Sequence, residues 1–298
     1  MRKTKLVVCG AIAAVALTAC GQGSGDKQND QGGGGNAAAA QAKDVPTLVK
    51  NVSSEIKAKH TAKLDMKITA AGHDVTGTGA IKIDGKDVAS DLKLSGKDTA
   101  GPGEVIVLDG VTYLKNSGES ASGKPWAKLD PKGNNPLAKL LQKLSQPSQQ
   151  YADPTKMFGQ LAVGGKLTKT SKEELNGQQT THYSVRVDTN KIADSEQDPQ
   201  LKQLMKLVAR SGVNNYPIDI WVNGDNLPVR FTTKVPQPDV SAINGNQAKS
   251  PKIGPTTVTI TYRDWGKPVQ IKAPPANQVG ELKLPDLSKL GGGHKPTG

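Results

Sequence analysis

The chain has 298 residues, with 39 Lys and Arg against 27 Asp and Glu and a formal charge of +12. That length suits one large β-rich domain or two small ones. Aromatic residues make up only 3%, so the core has to be built from Leu, Val, Ile and Ala. The lysines are spread along the chain and are not interleaved with aromatics, which argues against nucleic-acid binding. A basic surface of this kind is drawn instead to anionic head groups or anionic polymers, although a solvated lysine-rich surface has the same composition.

The first twenty residues set the compartment. Arg2, Lys3 and Lys5 precede an apolar run from Leu6 to Leu17. A helix needs about 20 apolar residues to cross a bilayer, so this run reads as the core of a signal peptide. The segment Leu17-Thr18-Ala19-Cys20 closely resembles the lipobox of bacterial lipoproteins. That resemblance implies that residues 1–19 are removed and that the Cys20 thiol carries a diacylglyceryl group. The mature protein would then be held by its lipid on the extracytoplasmic face of the cell membrane. Cys9 leaves with the signal, so the body is expected to have no disulfide. Removing Arg2, Lys3 and Lys5 leaves 36 basic groups against 27 acidic ones.

Residues 20–43 are rich in Gly, Gln, Asn and Ala and include Gly32-Gly33-Gly34-Gly35. Such a stretch buries too little apolar surface to order itself and reads as a flexible tether reaching about 25 Å. The folded domain is expected over 44–290. Asp44 is a good N-cap, and Pro46 suits the first turn of a helix running to Lys59, with Val45, Leu48, Val49, Val52 and Ile56 at helical spacing. The period then changes to two. Leu64, Met66 and Ile68 alternate with polar residues. Strands follow over 75–83, 88–94, 104–108, 111–115 and 126–129. Asp109-Gly110 marks a tight hairpin.

Two helical insertions interrupt the strands. The first begins at Asn135-Pro136, with Leu137, Leu140, Leu141 and Leu144 on one face, and continues from Asp153-Pro154 with Met157, Phe158 and Leu161. Strands resume over 166–175 and 178–188 around Asn176-Gly177, again a type I′ signal. A helix from Asp198-Pro199 carries Leu201, Leu204, Met205 and Val208 and is ended by Gly212. Further strands are expected at 218–222, 229–235, 256–263 and 269–272, with a long loop over 236–255 and a disordered tail over 291–298. The sum is an α+β fold of about eleven strands in a curved antiparallel meander.

Motifs for chemistry are sparse. Gly118 to Lys124 has the spacing of a phosphate-binding loop, but Pro125 stands where a magnesium-holding Ser or Thr is required, and no strand-to-helix unit surrounds it. The four histidines, His60, His73, His182 and His294, have no metal-ligand spacing. No Gly-x-Ser-x-Gly turn occurs. Glu173-Glu174 sits beside a hairpin turn, where solvated charge is expected, and His182 reads as a solvent-facing or loosely packed sheet residue. No enzyme activity, cofactor or metal is expected from these patterns. The leucine and methionine stripes of the inserted helices serve either as core or as the lining of a cavity.

The combination of a lipobox, a polar tether, a helix before the first strand and several later segments resembles the LppX/LprAFG family of cell-surface lipoproteins, which share a LolA/LolB-like half-barrel. The segments are Lys124-Pro125-Trp126-Ala127-Lys128-Leu129-Asp130, the hairpin from Asn176-Gly177 to His182-Tyr183, Pro217 to Val222, and Tyr262 to Ile271. The resemblance spans about Asp44 to Leu282. It implies an incomplete antiparallel barrel wrapped on helices, with an apolar cavity that binds an acylated lipid or glycolipid for carriage or envelope maintenance, and it supplies no catalytic residues. Leu140, Leu141, Leu144, Met157, Leu161, Leu204, Met205 and Val208 are the candidate cavity residues, and the inserted helices are a candidate lid or wall. The alternative is a non-carrier lipoprotein that binds a protein or an anionic wall polymer through its basic face. An envelope sensor acting on a membrane partner is a third class.

Overall fold

A computed structural model describes residues 41–85, 87–96, 103–115, 123–130, 154–237 and 254–282, with only the backbone of Lys156, Gln200 and Leu204. Cys20, the leucine helix expected from Asn135 to Leu144 (with Leu140, Leu141 and Leu144) and the tail after Gly291 lie outside the described residues. So do most of the tether and of the long loop.

Helix α1, Val45–Lys59, starts where Asp44 accepts a hydrogen bond from the Thr47 N–H at 2.7 Å, and it ends at His60, which turns left-handed at φ 63°. Val45, Leu48, Val52 and Ile56 are buried on one face. Burying four such side chains contributes roughly 6–12 kcal/mol as an upper estimate. The strands are β1 Thr61–Ala70, β2 His73–Asp84, β3 Asp87–Gly96, β4 Glu104–Leu108, β5 Val111–Lys115 and β6 Trp126–Leu129, then β7 Gly165–Leu175, β8 Gln178–Asp188, β9 Asn215–Val222, β10 Pro228–Val235, β11 Thr256–Arg263 and β12 Val279–Glu281. Three more helices lie among them: α2 Pro154–Gly164, α3 Thr189–Ser195 and α4 Pro199–Arg210.

All twelve strands form one sheet in the order β12-β6-β5-β4-β3-β2-β1-β11-β10-β9-β8-β7. It is curved and unclosed, an antiparallel half-barrel. Two meanders, β1–β6 and β7–β11, are joined through the antiparallel pair β1–β11. Within each meander the turns follow local chemistry. Asp109-Gly110 and Asn176-Gly177 both take left-handed backbone, as a type I′ hairpin demands.

Register lines up the inward residues across strands. One row runs Tyr183, Ile220, Phe231, Ile260, Met66 and Gly77, and the next runs Tyr262, Leu64, Gly79 and Leu92. The helices cover this concave side, and Leu48, Val52, Ile56, Phe158 and Leu161 join the sheet residues in a single core. The opposite, convex face carries Lys63, Asp65 and Lys67, each paired in the ladder with polar or charged residues of β11. Period-two alternation is therefore the record of one covered and one wet face.

Three expectations need correction. The stretch from Val269 to Lys272 is not a strand: Pro268, Pro274 and Pro275 bracket it, and prolines remove ladder donors. In its place β12 pairs with β6, and in parallel. Helix α3 was not expected; at 7 residues it is too short for a periodic signal, and Asp188 caps it by accepting from the Asn190 and Lys191 N–H groups. Finally, Ala42, within the stretch read as tether, is buried and donates its N–H to the Tyr183 hydroxyl at 3.0 Å.

Curvature has a visible cause at β2. A Cβ on Gly79 would collide with the Asp91 carbonyl oxygen and come within 2.8 Å of the Leu92 side chain. The sheet bends closely over this residue because it lacks a side chain. Gly79→Ala should therefore lower stability by at least the ~1–3 kcal/mol typical of overpacking. Gly224→Ala, with nothing within 4 Å, should be near neutral. Urea denaturation of the two variants beside the wild type makes the comparison.

Candidate functional site

The concave side is not completely filled. Between α2, α3 and α4 above and strands β8–β10 below lies an apolar cavity of about 280 Å³. Met157, Gln160 and Leu161 of α2 form one wall, Thr189 and Ile192 of α3 a second, and Leu201, Met205 and Val208 of α4 a third. Val187, Tyr216, Ile218 and Phe231 form the floor. The volume sits at the lower edge of the range of about 300–1,000 Å³ usual for ligand pockets.

The helices stand here for local reasons. Helix α2 passes directly into β7, and a Cβ on Gly164 would meet the Ile192 side chain at 2.7 Å, so a side chain at that position would push α2 and α3 apart. Helix α4 is held at its outer side: Lys206 pairs with Asp194 at 2.9 Å, and Lys202 donates to the Asp194 carbonyl at 2.9 Å. Its apolar face is thereby turned to the strands.

Of the residues singled out from the sequence, Met157, Leu161, Met205 and Val208 line this cavity. Met157 and Leu161 belong at the same time to the continuous core, so the choice between core and lining does not apply to them. The side chain of Leu204 is not described, and Leu140, Leu141 and Leu144 lie outside the described residues. The floor residues were not singled out. Strand alternation marks them as inward-facing but does not mark which inward positions the helices leave uncovered.

Among the described residues, no Asp, Glu, Lys, Arg or His lines the cavity. Among the described residues, no group of three or more His, Cys, Asp or Glu side chains is placed to hold a metal.

The convex face carries a polar cluster around His182. His182 on β8 stacks on Trp221 of β9, with centroids 4.2 Å apart and planes 9° from parallel. Its Nδ1 lies 2.7 Å from Glu173 Oε1 and its Nε2 lies 2.8 Å from Asp219 Oδ1. A carboxylate only accepts, so both contacts are donations when the ring carries two protons. Trp221 Nε1 donates to Glu173 Oε2 at 2.9 Å, and Ser171 Oγ donates to Glu173 Oε1 at 2.9 Å. Hydrogen bonds from Trp221, then His182, then Ser171, pull the Glu173 carboxyl down to about 2. The expected solvated Glu173 and loosely packed His182 are thus corrected: cross-strand pairing of His182 with Trp221 and Ser171 places all of them within reach of one carboxylate.

Ser184, His182 and Asp219 have the composition of a hydrolytic triad but not its wiring. Ser184 Oγ donates to Asp219 Oδ1 at 2.7 Å, the same oxygen that faces His182 Nε2. An activated nucleophile requires the hydroxyl proton to be aimed at the base. Here it goes to the carboxylate, and the cluster reads as a sheet fastener.

No family model matches the chain. It is 27% identical over 190 residues to an uncharacterised 31.2 kDa protein of Streptomyces griseus from the rplA–rplJ intergenic region, an alignment covering 60% of this chain and 56% of that protein. The chain therefore spans about half the length of the curated relative it matches. Among solved structures it is similar to the lipoprotein LppX of Mycobacterium tuberculosis, at 13% identity and a TM-score of 0.42, covering 76% of this chain and 99% of the other. It is similar as well to LprF of Mycobacterium bovis, at 16% identity and a TM-score of 0.40, covering 77% and 96%.

The depressed Glu173 carboxyl has a consequence for acid stability. Its folded value lies below the ordinary 4.5, so its contribution is fully present above about 4.5 and is lost as pH falls toward about 2. Glu173→Gln should lower the melting temperature at neutral pH, and the gap to wild type should close between those two values. A gap of constant size down to pH 2 would show that the charge is irrelevant.

Proposed function

We propose that this protein is a lipid-anchored, extracytoplasmic lipoprotein that holds an acyl chain in the cavity between α2–α4 and β8–β10. It performs no covalent chemistry and serves lipid carriage or maintenance of the cell envelope. The single observation that carries this reading is the cavity itself: an open space in the concave core, walled mostly by apolar side chains and, among the described residues, by no carboxylate, lysine, arginine or histidine. Attachment to the membrane through Cys20 rests on the sequence of the first twenty residues.

The energetics suit a carrier. At the roughly 30 Å³ that a water occupies in the liquid, the cavity has room for on the order of nine groups of that size. Burying about nine methylenes contributes about 7 kcal/mol, against which association takes at least about 4 kcal/mol. The balance is a modest affinity, compatible with both capture and release.

The test is native mass spectrometry of the Cys20→Ser variant, which carries no anchor of its own, purified without detergent from a streptomycete host. A stoichiometric lipid that leaves on organic extraction is the expected result; bare protein that also fails to take up a fluorescent acyl ester would sink the reading. Val208→Phe, which adds volume at the cavity wall, should cut uptake of that ester at least tenfold while leaving the melting temperature within a few degrees of wild type. Equal losses of both would mark Val208 as plain core.

The outer side of α4 favours a second reading. Lys202, Lys206 and Arg210 line a shallow groove there, and in this reading the protein is a non-carrier that binds an anionic wall polymer. Reversing all three charges should abolish retention on a dextran sulfate column at low salt. Retention that survives the triple reversal would exclude this surface.

A further inference from the structure

We infer that Thr189 is the polar attachment point of the cavity, and that the cavity takes a single-chain lipid with a neutral oxygen head group, a fatty alcohol or a monoacyl ester. The inference rests on the acyl-binding reading and deepens it by naming the class of ligand. Thr189 is a wall residue at the first position of α3, and only 9% of it is exposed. Its Oγ1 is buried and has no hydrogen-bond partner. Its main-chain N–H is already spent on the Asn214 carbonyl at 3.0 Å.

The other polar wall residues described are occupied, Tyr216 among them. Thr233 Oγ1 donates to the Pro217 carbonyl at 2.9 Å, and Gln160 has an interaction of its own. An unmet hydroxyl inside a protein is unfavourable and uncommon, and a partner from outside the chain resolves it. The hydroxyl is shielded from the cavity in the present rotamer, and turning the side chain to another staggered position is the step that would present it to a ligand. The hydroxyl both donates and accepts and therefore suits an alcohol or an ester carbonyl equally.

Size and charge narrow the ligand further. About 280 Å³ holds on the order of nine methylene-sized groups, a space that suits one medium chain. With no Lys, Arg or His among the described wall residues, a phosphate or ionised carboxylate would meet no cation there, which is strongly unfavourable in an apolar space. A neutral head group avoids that penalty.

The experiment measures dissociation constants of 1-decanol, decanoate at pH 8 and n-decane for wild type, Thr189→Val and Thr189→Ser. Thr189→Val is close in shape and lacks the hydroxyl. It should weaken 1-decanol about three- to tenfold, the value of one buried hydrogen bond, while n-decane is unaffected and Thr189→Ser stays near wild type. Decanoate should bind wild type more weakly than 1-decanol does. The melting temperature of Thr189→Val should equal or exceed that of wild type; if that variant does not fold, Thr189→Ala is read in the same way. Unchanged 1-decanol binding in the valine variant, or tighter binding of decanoate than of 1-decanol, overturns the head-group assignment while leaving the cavity reading intact. Wild-type protein that takes up neither 1-decanol nor n-decane overturns the cavity reading itself.

Discussion

The seam between β1 and β11 is the contact on which the remainder of the sheet depends. The two meanders are each built from neighbours in sequence, but they meet only where Lys63 to Thr69 pairs with Thr257 to Arg263. The seam is reinforced beyond its ladder. Arg263 grips Asp65 through two hydrogen bonds of 2.9 and 3.2 Å, the Gly266 N–H reaches the Thr61 carbonyl, and the Thr61 hydroxyl donates to the Lys267 carbonyl. Asp264, held down to about 2 by Lys267 and then Lys63, closes the corner. These ion pairs are solvent-exposed and individually weak. Their role is to set register, since a slip of one residue would exchange the wet and dry faces of a whole meander.

Register at the seam determines what the helices have to cover. Once Leu64, Met66 and Ile68 face inward, the row through Met66 runs from Tyr183 on β8 to Leu94 on β3 with no polar side chain between them. A curved sheet with one apolar face requires an apolar insert, and α1 with α2 supplies the central part of it. Helix α4 stands at the margin, fastened at its outer side to Asp194. The cavity lies where that marginal helix and the sheet diverge. It is a product of incomplete covering, and its shape depends on how firmly α3 and α4 are held.

Much of this was legible in the residues. Alternation placed eleven of the strands, Asp44 and Pro46 announced α1, and Asp-Gly and Asn-Gly marked two hairpins. The unread parts are those where long-range contact overrides local signal. Three residues of β12 acquire their pairing from β6, far away in the chain. Helix α3 is defined by one capping carboxylate. Met157, Leu161, Met205 and Val208 could be picked out because helical stripes show in sequence, while Phe231 and Ile218 look like any other inward strand residue. His182 illustrates the opposite limit: its partners come from the two flanking strands, Glu173 from β7 and Asp219 and Trp221 from β9, and nothing local to any one of them signals the cluster.

The Ala42–Tyr183 hydrogen bond has a mechanical meaning. Tyr183 sits on β8, flanked by β7 and β9 and backed by the core, and Ala42, three residues ahead of α1, is buried in that same core. Tension applied through the preceding segment is therefore delivered to the interior of the sheet before it can reach the cap of α1. A helix pulled from its first residue unravels turn by turn under small loads; one whose preceding chain is bolted to a buried residue of the sheet is shielded until the bolt fails. A load applied ahead of Ala42 would thus meet this hydrogen bond before it met the helix that covers the core.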